Sequence, residues 1–141
     1  MAVPLPPFAV QRLDHVVLRV RDLDRSEAFY RTVLGCEVAR RRDGLGLRHL
    51  RAGASMIDLV AVDGRLGRRG GGAAGTEGRN LDHLCLRIEP FDEPAIVAHL
   101  AGHGVAPQGP AAINFGAEGD GLSLYFDDPD GNTVELKGPS A

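Results

Sequence analysis

Leu13–Asp14–His15–Val16–Val17–Leu18–Arg19–Val20 decides the fold, because it returns as Leu81–Asp82–His83–Leu84–Cys85–Leu86–Arg87–Ile88. Five of the eight positions are identical, the other three hold apolar residues or Cys85, and His83 follows His15 by 68 residues. Each copy is β-branched and apolar enough to form a strand. Side chains alternate between the faces of a strand, so His15, Val17 and Arg19 share one face, as do His83, Cys85 and Arg87. A histidine placed twice at the same point of a duplicated strand is what a two-fold metal site needs.

Outward from these strands, the chain reads as one module written twice. The first strand, about 12–20, leads into a helix in which Ala28, Phe29, Val33 and Leu34 follow helical spacing. Asp22 or Asp24 caps its start and Gly35 its end. Strands are expected over about 36–42, 45–51 and 55–62, with Asp43–Gly44 as a hairpin turn and Gly53 as the next reversal. In the second half, a strand over 81–88 precedes a helix over Pro94–Gly102 and short strands near 105–108 and 112–117. Ser123–Phe126 and Thr133–Lys137 then form a hairpin around Asp128–Pro129–Asp130–Gly131–Asn132. The expected class is α+β: two βαβββ modules, about 11–62 and 80–138, in a single domain over 1–141. Neither four-stranded half can cover its own concave face, so pairing of the halves, or of two chains, is expected.

Between the modules, residues 63–79 hold seven glycines in seventeen positions. So few apolar side chains cannot offset the entropy of ordering, and a mobile connector is expected. It has no Gly-Lys-Ser/Thr ending and opens no helix, which argues against a phosphate loop. At the other end, residues 1–10 carry Pro4, Pro6 and Pro7 and read as an extended arm, either loose or laid along a partner subunit.

Composition narrows the function. A net charge of −3 gives no electrostatic case for nucleic acid or anionic membrane. Fifteen of the sixteen basic residues are arginine, and Lys137 is the sole lysine. Two cysteines, Cys36 and Cys85, make no disulfide framework and suit a reducing cytosol. The first residues lack a basic leader and no apolar run reaches membrane-spanning length, so the expected location is cytoplasmic.

Each half closes on a strand with one carboxylate between apolar neighbours, Ile57–Asp58–Leu59 and Val134–Glu135–Leu136. An unpaired buried carboxylate is expensive, so these positions need a reason. If the four side chains face one cavity, His15, Asp58, His83 and Glu135 supply two imidazoles and two carboxylates. That set suits one divalent ion: Zn, Ni, Co, Mn or Fe. Cys85 shares the face of His83 but reads as a small buried hydrophobe. Arg87 reads as a solvated strand end, and His49, His99 and His103, without symmetric partners, read as surface residues. Arg40–Arg41–Arg42 reads as a solvated edge that discourages strand pairing.

Leu13–Asp14–His15 with its helix ending at Leu34–Gly35, and Asp127–Asp128–Pro129–Asp130–Gly131–Asn132–Thr133–Val134–Glu135, resemble the vicinal oxygen chelate superfamily. That group includes glyoxalases, fosfomycin- and bleomycin-resistance proteins and extradiol dioxygenases, and the likeness covers about residues 11–138. The resemblance implies paired βαβββ modules forming a curled mixed β-sheet around a divalent metal, commonly in a homodimer. It maps the metal ligands onto His15, Asp58, His83 and Glu135, with Asp58 standing where glyoxalase I has Glu. Arg19 matches the arginine that contacts the substrate's carboxylate. With four ligands, glyoxalase-like proton transfer on a small substrate with adjacent oxygens is favoured, Glu135 moving the proton. An Fe(II) extradiol dioxygenase on three ligands, a fosfomycin-type thiol transferase and a metal-free bleomycin-resistance-type binding protein are the alternatives.

Overall fold

Alternation along the strands sorts the molecule into a buried side and an open side. The computed structural model describes residues 3–141, so the first two positions of the expected arm lie outside the described residues. From residue 3 to Asp14 the arm has no helix or strand, and Val3, Leu5, Phe8 and Val10 are exposed. The first module runs β1 (His15–Val20), α1 (Leu23–Thr32), β2 (Glu37–Arg42), β3 (Leu47–Ala52) and β4 (Ser55–Ala61). The second runs β5 (Leu84–Arg87), α2 (Glu93–Gly102), β6 (Ala112–Gly116), β7 (Gly119–Asp127) and β8 (Thr133–Lys137).

Two four-stranded mixed sheets result, ordered β1-β4-β3-β2 and β5-β8-β7-β6, and both place the first and last strands of a module side by side in parallel. The expected α+β pair of βαβββ modules is therefore the observed architecture. In β1 and β4, Leu18, Val20, Ile57 and Leu59 point inward, and in the second sheet Leu84, Leu124, Phe126, Val134 and Leu136 do the same. They join one apolar cluster spanning both modules, with Tyr30, Val33 and Leu100 from the helices. Each fully buried Leu, Ile or Phe contributes roughly 1.5–3 kcal/mol. The alternate residues, His15, Val17, Arg19 and Asp58 on one sheet and Cys85, Tyr125, Glu135 and Lys137 on the other, lie on the open faces.

Local chemistry sets the boundaries. Asp22 caps α1 by accepting from the Arg25 N–H at 3.0 Å, so the helix starts at Leu23, ahead of Ser26. Asp43–Leu45 is a 3-10 turn rather than a two-residue hairpin, and Gly46 takes the left-handed conformation at φ 64° that closes it. The strand expected near 105–108 does not form. Pro107 and Pro110 deprive that stretch of donors, and its one backbone bond to a strand runs from Gln108 N–H to the Tyr125 carbonyl at 2.8 Å, while Val105 N–H turns back to the Leu100 carbonyl of α2 at 2.9 Å. Among the described residues, no helix is long and apolar enough to cross a membrane.

The connector is tied down more firmly than its composition suggests. It holds a 3-10 turn over Gly67–Gly70, and its carbonyls accept from arginines. Arg19 donates to Gly67 at 2.9 Å, to Gly72 at 3.1 Å and to Gly71, while Arg21 donates to Ala74. Two glycines are there for close approach. A Cβ at Gly67 would stand 1.8 Å from the Ala61 carbonyl oxygen, and one at Gly70 would stand 2.5 Å from the Arg19 guanidinium carbon. Glycine density here allows packing against an arginine as well as freedom, which composition alone does not distinguish.

Candidate functional site

The Leu-Asp-His repeat builds the same small device twice. Asp14 Oδ2 lies 2.8 Å from His15 Nδ1, and Asp82 Oδ1 lies 2.6 Å from His83 Nδ1. A carboxylate on Nδ1 fixes the ring and leaves Nε2 as the outward nitrogen, the arrangement that metal-binding histidines use. The Asp14 hydrogen bond holds His15 above the usual histidine range and draws the Asp14 carboxyl below its own. Asp14 and Asp82 are therefore side-chain partners of the two candidate histidines, which the alternation of strand faces did not point to. The repeat itself was their signal.

In the second module, His83 stands just before β5, and its Nε2 lies 3.1 Å from Glu135 Oε1 on β8. Glu135 is buried, with Cys85 and Tyr125 at the neighbouring register positions. The Tyr125 ring meets the His83 imidazole edge-on, centroids 5.5 Å apart. Burial first, then the Glu135 carboxylate, raises Tyr125 above the ordinary phenol value. Cys85 is exposed on this face rather than the buried hydrophobe expected, but its partial burial, again followed by Glu135, pushes its thiol up to about 11, so it is a neutral thiol at physiological pH rather than a nucleophile. His83, Cys85 and Glu135 line a cleft of about 290 Å³.

In the first module, Asp58 lies in register with Val17 and His49, which places it on the open face. His49 Nδ1 approaches Asp58 Oδ1 to 3.0 Å without the alignment of a hydrogen bond, and that buried oxygen has no hydrogen-bond partner. His49 is thus half-buried beside a candidate ligand, not the surface residue its lack of a symmetric partner suggested. Cross-strand register, invisible until β3 is paired, brings it there. Asp58, Val17 and Arg19 line a second cleft of about 560 Å³, walled by the connector at Leu66–Gly70. A third, of about 610 Å³, runs between β1 and β5 with His15 and His83 at its edge.

The candidate ligands therefore form two half-sites. One sheet carries His15 and Asp58, the other His83 and Glu135, and among the described residues no three His, Cys, Asp or Glu side chains converge as a metal-binding group. Arg19, expected to hold a substrate carboxylate, spends its guanidinium on three connector carbonyls.

The Glyoxalase/Bleomycin resistance protein/Dioxygenase superfamily model matches residues 12–136. The chain belongs to this superfamily. It is 33% identical over 130 residues to a glyoxalase domain-containing protein of Mycosarcoma maydis, covering 92% of this chain and 69% of that one. It is 28% identical over 132 residues to a virulence protein of Salmonella typhimurium, covering 90% and 83%. The crystal structure titled glyoxylase/bleomycin resistance protein/dioxygenase domain from Frankia sp. superposes with a TM-score of 0.71 at 29% identity, over 93% of this chain and 99% of that chain.

The superfamily's paired βαβββ modules explain why each half-site occupies the same place in its sheet. First and last strands lie adjacent in each module, so each module puts a histidine at the start of one and a carboxylate on the other, and in the second module the two are in contact at 3.1 Å. Both half-sites fit a divalent cation on their own chemistry. Each offers an imidazole oriented through Nδ1, the first has a buried carboxylate oxygen without a donor, and the second has a carboxylate already against Nε2.

Proposed function

We propose that the chain is a divalent-metal-dependent enzyme of the glyoxalase kind, moving a proton on a small substrate with adjacent oxygens. The observation that carries this reading is the approach of His83 Nε2 to Glu135 Oε1, 3.1 Å, at the wall of a cleft. His15, Asp58, His83 and Glu135 would hold the ion, and Zn, Ni, Co, Mn and Fe all suit that set. When bound, the ion supplies Lewis acidity toward a carbonyl oxygen and the charge that develops on it.

The chain's own residues do the rest. Glu135 is the base: its carboxylate takes a proton from the carbon beside the carbonyl and returns it to the neighbouring carbon. The Tyr125 ring and Glu135's buried setting keep bulk water from that carboxylate. Asp82 holds His83 in one ring orientation throughout.

A homodimer belongs to the same proposal. The two half-sites lie on different sheets, and a second copy that sets one open face against the other unites them. Val17, half-exposed beside Asp58, would be covered in the process. The cytoplasm suits two free thiols. A second reading, an Fe(II) extradiol dioxygenase, is favoured by one observation. His49 Nδ1 lies 3.0 Å from Asp58 Oδ1, and an Asp58 paired with His49 in place of the ion would leave two histidines and Glu135 as the ligands.

Elemental analysis of protein purified without added metal tests the site. His83→Ala is expected to lose the ion while keeping its circular dichroism spectrum, and unchanged metal content would overturn the assignment. Incubation with α-oxo aldehyde–thiol adducts and with catechols tests the reaction. Glu135→Gln is expected to lower kcat on the adducts by ~10²-fold, the scale of a positioned base. Oxygen consumption coupled to catechol cleavage would replace the lyase reading with the dioxygenase. Tight binding of a hydrophobic ligand without turnover would point to a sequestering protein.

A further inference from the structure

Lys137 is the last residue of β8, two positions beyond Glu135, so its side chain shares the open face with that carboxylate. It is the sole lysine in a chain that otherwise uses arginine for every strong cation, and it is 6% exposed. Among the described residues its ammonium takes part in no ion pair and donates no hydrogen bond, although it lines the cleft that His83 and Glu135 face. Arg87, the neighbouring cation in that cleft, is occupied by Glu118 at 3.0 Å and Glu89 at 3.1 Å.

The space for the lysine is made by the hairpin beside it. A Cβ at Gly116 would stand 2.8 Å from Lys137 Cε, and one at Gly121 would stand 2.9 Å from Nζ. Any side chain at either position would displace the lysine. A straight, slender stem fits such a trench where a planar guanidinium does not. Its ammonium end opens on the cleft with no carboxylate paired to it, so an anion entering the cleft is the partner it can take.

We propose that Lys137 binds the anionic group of the substrate, and that the substrates are small α-oxo or α-hydroxy acids. This rests on the proposed metal-dependent reading for the reacting end of the molecule and adds the other end. Residues two apart on a strand face are about 6.7 Å apart along the strand. A short acid can therefore place its carboxylate at Lys137 and its carbonyl beside His83 and Glu135. The role that the resemblance gives to Arg19 passes to a cation that the connector does not occupy.

Because there is one lysine, protein labelled with ¹³C-lysine reports on this site alone. The label is followed in the protein as purified and after EDTA treatment, at constant ionic strength, against pyruvate and against uncharged hydroxyacetone. The expected result is a saturable shift of the lysine ε-carbon signal with pyruvate and none with hydroxyacetone. Lys137→Met should weaken pyruvate binding by about tenfold to a hundredfold, the range for a charge-assisted hydrogen bond. Lys137→Arg should restore only part of it. A non-saturating pyruvate response in the parent protein, or unchanged affinity in a folded Lys137→Met variant, overturns the proposal. The two readings fail separately. Metal binding that depends on His83, with no pyruvate response, removes the lysine site alone. A saturable pyruvate shift in protein that binds no metal keeps the lysine site and removes the metal reading.

Discussion

Tyr30 Oη donates to Asp128 Oδ2 at 2.6 Å, joining the first module's helix to the closing turn of the second across 98 residues. Asp128 also organises its own turn, accepting from the backbone N–H groups of Asp130 at 2.9 Å and Asn132 at 2.8 Å. Asp130 reaches back to α1 as well, where Ser26 Oγ donates to it at 3.0 Å. The motif that carries the family resemblance is therefore also the weld between modules. Burial first, then the Asp128 charge, raises the Tyr30 phenol well above its ordinary value, so it stays protonated as the donor.

Tyr30→Phe keeps the ring in the core and removes this bond. A hydrogen bond to a buried carboxylate is worth about 1.5–3 kcal/mol, and urea unfolding should show a loss on that scale with an unchanged m-value. A loss below a few tenths of a kcal/mol would mean that the turn is held by its own residues.

Glu27 gives a stability term with a defined pH window. Arg41 grips it with two bonds of 3.1 and 2.8 Å, and Arg48 and Arg31 add their charges, which together hold its carboxyl below 4.5 against the opposing effect of burial. A lowered folded-state pKa means that the unfolded chain binds the proton more tightly. The stabilisation is thus present above pH 4.5 and is lost as pH falls through the folded-state value. Arg41→Met should lower the thermal midpoint at pH 6 and flatten its decline below pH 4.5. An identical acid limb in both proteins would assign the acid loss to other carboxylates.

Cys85 can report on Glu135. With its thiol at about 11, roughly one in a thousand is thiolate at pH 8, so alkylation by iodoacetamide should run about a hundredfold slower than for an ordinary free thiol. Glu135→Gln removes the charge that contributes to the shift, and alkylation of Cys85 should quicken while that of Cys36, held up by burial alone, does not. Equal rates at Cys85 in both proteins would show that burial dominates there too.

Arg19 is expected to matter for the connector. Arg19→Met removes three donors to Gly67, Gly71 and Gly72 without adding bulk against Gly70. Tryptic cleavage after Arg65, Arg68 and Arg69 should accelerate several-fold, read from fragment masses at early times. Unchanged cleavage would mean that the packing of Gly67 on Ala61 holds the loop by itself.

The sequence determined the module and its duplication. Two copies of an eight-residue strand, helical spacing between Asp22 and Gly35, and an Asp-Pro-Asp-Gly turn are local signals, and each maps onto one element. It also put His15, Asp58 and Glu135 on strand faces and His83 at the entry to β5, since period-two alternation needs no partner to be read. What it did not carry is anything set by register and packing. His49 meets Asp58, and Tyr125 meets Glu135, through antiparallel pairing between strands whose alignment depends on the turns between them. Arg19 turns to the connector because glycine carbonyls far along the chain come within its reach, and Lys137 is buried because two glycines of the neighbouring hairpin leave room for it. Faces follow from the order of residues along one strand; neighbours across a face follow from how separate strands come together, and only the tertiary structure decided those.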